Sequence, residues 1–111
     1  MKRVLTPQHV IVDGYMGSDI ESSATQIMYM DRPSYELSWT GTPTGEFSVE
    51  VSHTGDFWAP VTLSATVEAT GGSGNAFIDI ESGAKYIRLV YTRTSGTGTL
   101  QAYIACKSIS Q

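Results

Sequence analysis

The sequence predicts an all-β fold: a single-domain β-sandwich or small barrel of seven to nine short antiparallel strands. Three observations predict it. Apolar residues recur at every second position in segment after segment, as in strands with one buried face. Ser and Thr occur 13 times each and Gly 11 times, so a third of the chain suits short strands and tight turns. The 111 residues are 41% apolar, which is enough for one core and not for two.

Each element has its own pattern. Residues 8–13 read as a strand with Val10 and Val12 on one face and His9 and Ile11 on the other. A short strand fits 18–22, and 26–31 set Ile27 and Tyr29 against Met28 and Met30. Residues 35–40 alternate, with Tyr35, Leu37 and Trp39 opposite Glu36, Ser38 and Thr40. Residues 47–52 do the same, with Phe47, Val49 and Val51 opposite Ser48, Glu50 and Ser52. The linker Gly41-Thr42-Pro43-Thr44-Gly45 is a turn by composition, so these two segments are expected to form an antiparallel hairpin. Residues 57–68 carry Phe57, Trp58, Val61, Leu63, Ala65 and Val67, with Pro60 marking an edge or a bulge. Residues 70–75 form a loop, and 76–81 put Ala76, Ile78 and Ile80 on one face.

The clearest alternation is C-terminal. Residues 85–93 place Ile87, Leu89 and Tyr91 opposite Tyr86, Arg88, Val90 and Thr92. Residues 99–107 place Leu100, Ala102, Ile104 and Cys106 opposite Gln101, Tyr103, Ala105 and Lys107. The glycine-bearing stretch 94–98 between them predicts a second hairpin. The expected core is Leu37, Trp39, Val49, Val51, Ile78, Ile80, Ile87, Leu89, Leu100 and Ile104. Residues 1–17 stand apart, as a partner-binding arm or an edge strand, from a sandwich domain at 18–111.

Composition excludes several classes. No apolar run approaches the length of about 18 residues that a membrane helix needs. Lys2 and Arg3 imitate a signal peptide, but Pro7, Gln8 and His9 interrupt the apolar stretch, so export is not expected. The lone Cys106 forbids an internal disulfide and a multi-cysteine metal site, and its alternation makes it a small core residue. A net charge of −4 disfavours nucleic acid as a partner. The charge is also uneven: residues 33–84 hold seven acids and no Lys or Arg, whereas 85–111 hold Lys85, Arg88, Arg93 and Lys107 and no acid. Either neighbouring strands pair acidic with basic faces, or the basic stretch meets an acidic partner.

No residue pattern calls for catalysis, a cofactor or a metal, and the chain is not expected to be an enzyme. His9 and His53 are the only histidines, and no nucleophile elbow is present. Residues 71–74 lack the lysine of a phosphate loop. Asp79 and Glu81 share a face but read as a solvated strand. The aromatics say more. Phe77, Tyr86 and Tyr103 fall on outward faces, and the adjacent Phe57 and Trp58 cannot both be buried by one face. Exposed rings serve as stacking platforms for sugar or as anchors in protein interfaces. The apolar run Val10, Ile11 and Val12 can add to a partner's sheet as a strand. The candidate partner-binding residues are therefore Val10, Ile11, Val12, Phe57, Trp58, Phe77, Tyr86, Arg88 and Tyr103.

Four stretches, 35–45, 47–52, 76–80 and above all 86–100 (Tyr86-Ile87-Arg88-Leu89-Val90-Tyr91-Thr92-Arg93-Thr94-Ser95-Gly96-Thr97-Gly98-Thr99-Leu100), resemble a module of tailed-bacteriophage structural proteins. The span 35–104 covers about two thirds of the chain. In size it most resembles the capsid decoration (staple or cement) proteins of epsilon-type Salmonella podoviruses. The resemblance implies a jelly-roll-like sandwich on the outer capsid surface of the virion that clasps neighbouring major capsid proteins as a homodimer. It implies synthesis in the host bacterial cytoplasm, no membrane partner and no catalytic residue. The alternative is a carbohydrate-binding sandwich module of a phage fibre or tail-associated protein, with a surface glycan as partner.

Overall fold

In a computed structural model the chain forms two antiparallel sheets whose apolar faces meet. The structure describes residues 4–27, 32–63, 66–80 and 84–107. The strands are β1 (Val4–Tyr15), β2 (Ile20–Glu21), β3 (Thr25–Gln26), β4 (Arg32–Gly41), β5 (Thr44–Ser52), β6 (Ala59–Pro60), β7 (Val67–Thr70), β8 (Gly74–Asp79), β9 (Tyr86–Ser95) and β10 (Gly98–Lys107). No helix occurs among the described residues.

Sheet I has the order β1-β10-β4-β8. Sheet II has β9 and β5 at its centre, with β2 and β3 both along the outer side of β9 and β6 and β7 both along that of β5. Counting each broken edge as one strand leaves eight strands in two sheets of four, with the chain crossing between sheets at nearly every step. This is a jelly roll. The all-β sandwich expected from the sequence is thus the fold.

Both expected hairpins are absent. β4 pairs with β10 and β8 in sheet I, whereas β5 pairs with β9 in sheet II. β9 and β10 are likewise split between the sheets. Alternation fixes which side chains face the core, but not which strand lies beside which. The linkers, shortened to Thr42-Pro43 and Gly96-Thr97 between the strands, cross the sandwich instead of reversing within a sheet, so inward faces of consecutive strands meet across the core. Trp39 of β4 reaches Phe47 of β5 with ring centroids 5.1 Å apart, and Phe47 reaches Tyr91 at 5.0 Å. The two crossings nest against each other, the Thr42 N–H donating to the Thr97 carbonyl at 2.9 Å. Gly96 sits in this nest with φ +76°, and a Cβ there would lie 2.0 Å from the Thr42 carbonyl oxygen. Only glycine fits both conditions.

The expected core is buried except for Val51, which is partly buried against it. Tyr35, Phe47, Tyr91, Met16 and Ile27 add to it. Trp39 lies over Gly74, where a Cβ would come within 2.8 Å of the indole, and its Nε1–H donates to the Gly72 carbonyl at 2.9 Å. The predicted strand at 57–68 divides into β6 and β7. Pro60 falls in the edge strand β6, where its missing N–H costs no central pairing. Met28, Tyr29, Met30, Ala65, Glu81 and the Cys106 side chain lie outside the described residues.

Residues 4–15 form β1, an edge strand of the sandwich paired with β10. The pairing shifts register at three places, and each such bulge moves later side chains to the other face. Simple alternation therefore misplaced this strand. Ile11 is buried at 6% exposure, whereas Val12 is 62% exposed.

Candidate functional site

The nine expected binding residues do not gather in one place. Trp58, Tyr86 and Arg88 belong to the outer face of sheet II, with Phe57 in the loop beside them. Phe77 and Tyr103 lie on the outer face of sheet I. Val10 and Val12 lie on its β1 edge, partly buried and exposed respectively, and Ile11 points into the core, so it is not available to a partner.

The outer face of sheet II centres on Arg88. Its Nε–H donates to Glu50 Oε1 at 2.8 Å, and one terminal nitrogen lies 2.6 Å from the same oxygen and 3.6 Å from Glu21 Oε2. Register explains this, since Glu50 is the direct partner of Arg88 on β5. The guanidinium also lies 4.2 Å from the Trp58 ring centroid, a stacking worth about 0.5–2 kcal/mol. Trp58 is held there by the loop after β5. Ser52 Oγ accepts from the N–H groups of Thr54 and Gly55 at 3.2 and 2.8 Å, and Trp58 Nε1–H donates to the Gly55 carbonyl at 3.1 Å. The same loop projects Phe57 into solvent at 82% exposure. Tyr86 is half-buried, with the Lys85 ammonium 5.5 Å from its ring centroid. Of the two readings of the uneven charge, Arg88 follows the first: it is paired across the strands and shielded, not offered to an acidic partner. Arg93 is also engaged, its Nε–H donating to the Gly96 carbonyl at 2.9 Å.

The outer face of sheet I carries a row that alternation could not assemble, because it depends on strand order. His9 of β1, Tyr103 of β10, Glu36 of β4 and Phe77 of β8 are successive partners across the sheet. Tyr103 stacks on His9 with centroids 4.2 Å apart and planes 10° from parallel. His9 Nε2 lies 2.7 Å from Gln101 Oε1, the same oxygen that accepts the Asp13 N–H at 3.1 Å. Gln101 Nε2–H donates in turn to Asp13 Oδ1. This network holds Asp13 at φ +49°, a left-handed conformation that Asp tolerates better than most residues. Phe77 is 69% exposed. Glu36 and Asp79 flank it on the same face, and no Lys or Arg occurs between residues 33 and 84. Sequence reasoning missed His9, Glu36, Gln101 and Asp13, whose roles depend on the neighbouring strands.

Elsewhere a cleft of about 290 Å³ opens between β5 and β7, where Glu46 and Glu68 are direct cross-strand partners. Two like charges so placed disfavour an anionic ligand. No group of three or more His, Cys, Asp or Glu suited to a metal ion occurs among the described residues.

No family model and no curated protein matches the chain. Among solved structures, the SPBc2 prophage-derived protein YomS is similar, with a TM-score of 0.61 at 11% identity over 95% of each chain. The K1 cleaved adhesin domain of Lys-gingipain from Porphyromonas gingivalis W83 aligns with a TM-score of 0.42 at 12% identity. That alignment covers 78% of this chain and 61% of the adhesin domain's. At these identities the likeness to YomS is one of fold.

Proposed function

We propose that this chain is a structural protein of a phage particle that binds the outer capsid surface and reinforces it by clasping neighbouring major capsid proteins. The observation that carries the reading is the division of its exposed rings between opposite faces. Phe57 lies on the side of sheet II, and Phe77 and Tyr103 on that of sheet I. A plate with anchors on both sides can touch two neighbours at once, whereas a pocket serves one ligand. The phage-like pattern at 35–104 and the fold shared with a prophage-derived protein support the same reading. Under it the protein acts as a homodimer, without enzymatic activity, cofactor, nucleic acid or membrane partner. It is made in the host cytoplasm and ends on the virion surface.

Cosedimentation with purified expanded capsid shells tests this. The intact protein should pellet with the shells, and Phe57→Ser and Phe77→Ser should each reduce the pelleted fraction. Failure to pellet under any salt condition overturns the reading.

A further inference from the structure

Each outer face sets a carboxylate beside an aromatic ring, and on sheet II the cation that completes the set is present. There Arg88 lies between the Trp58 ring and the Glu50 carboxylate. On sheet I the order across adjacent strands is Tyr103, Glu36, Phe77. Glu36 is exposed, and no cation lies beside it among the described residues.

We infer that the Tyr103–Glu36–Phe77 row receives an arginine side chain from a partner protein. This rests on the proposed role as a protein that binds other virion subunits, and it names the chemistry of one contact. The geometry fits in three ways. Tyr103 and Phe77 are two strands apart, about 10 Å between backbones, with the carboxylate between them. His9, the cross-strand partner of Tyr103, covers one face of its ring at 4.2 Å. Glu36 is the direct partner of Tyr103 on the strand opposite to that of His9. Asp79 adds a second negative charge beside Phe77, and residues 33–84, which supply Glu36, Phe77 and Asp79, contain no Lys or Arg. A guanidinium suits this row better than an ammonium, because its flat faces stack on rings while its edge bonds a carboxylate through two N–H groups.

Hexa-arginine peptide serves as the probe, with hexalysine as the charge control, titrated at low salt into the intact protein and followed by NMR. Hexa-arginine should bind several-fold more tightly than hexalysine and shift the ring protons of Tyr103 and Phe77. Glu36→Gln and Phe77→Ser should each weaken binding about tenfold. Glu46→Gln, on the opposite face, should leave it unchanged. Unchanged binding by Glu36→Gln, equal binding of the two peptides, or equal weakening by Glu46→Gln overturns the inference. Shell binding separates this from the broader proposal: shells that retain the Glu36→Gln variant leave the clasp standing without the arginine contact, whereas peptide binding without shell binding does the reverse.

Discussion

The outer face of sheet II is closed and that of sheet I is open, although both are built from carboxylates and rings on neighbouring strands. On sheet II, Arg88 satisfies Glu50 and Glu21 and is capped by Trp58, so the protein consumes its own cation. On sheet I, Gln101 ties His9 to Asp13 on the β1 side, and on the β4–β8 side no side-chain pairing of Glu36 occurs among the described residues. The contrast shows that a carboxylate beside an aromatic ring stays open to a cation from outside only where no internal cation reaches it. Trp58 and Arg88 are conspicuous in the sequence and bind each other. Glu36 is inconspicuous there and is exposed.

Substitutions that separate the two faces should differ in size. The largest effect tests the shared layer beneath both. Leu89 is fully buried, so Leu89→Ala should cost about 2–5 kcal/mol by denaturant titration. A cost under about 0.5 kcal/mol would mean that the register of β9 is wrong, because a shift of one residue reverses the faces. Next is the closed face. The Arg88 and Glu50 side chains are only 21% and 26% exposed, so Arg88→Met should lose about 1–2 kcal/mol by leaving Glu50 unpaired. Equal stability would show that the pair adds nothing.

Tyr91, between the faces, should have a smaller effect of opposite sign. Its hydroxyl is buried without a hydrogen-bond partner among the described residues, so Tyr91→Phe should gain up to about 1 kcal/mol. Burial raises the pKa of this hydroxyl, Arg93 lowers it and Asp19 raises it, for a net upward shift. The folded state therefore resists ionisation more than the unfolded chain does. The corresponding stability is full below pH of about 10 and is lost as the pH climbs from there through the folded pKa. Alkaline unfolding of Tyr91→Phe should lack this component, and an identical pH profile for the two proteins would refute it. The smallest effect belongs to the open face. Glu36→Gln should change stability by less than about 0.5 kcal/mol. A larger loss would reveal a hidden partner and remove the contrast between the faces.

The sequence showed more about burial than about adjacency. The alternation of 35–40, 47–52, 85–93 and 99–107 placed Leu37, Trp39, Val49, Ile87, Leu89, Leu100 and Ile104 correctly, because a period of two depends on the strand alone. It failed in β1, where three register shifts and the turn at Asp13 interrupt the period and carry Ile11 inward. It also failed wherever the neighbour mattered. A five-residue linker fits a reversal within one sheet and a crossing between two equally well, so both hairpins were misread. The His9–Tyr103–Glu36–Phe77 row was illegible for the same reason, since it draws on residues 9, 36, 77 and 103 from four separate strands.

The pairing of β1 with β10 joins residues 4–15 to residues 98–107, nearly the full length of the chain apart. Because β10 also pairs with β4, β1 stays apart from the β4–β8 pair of sheet I until β10 has left the ribosome. At about 5–20 residues per second, the first strand waits roughly 5–20 s with its pairing edge open. Partial chains cannot close the sandwich, and nascent copies made side by side expose the same edge to one another. A chain cut short before residue 98 should therefore accumulate as aggregate, so that the fold itself sorts chains that carry β10 from those that lack it before any partner is met.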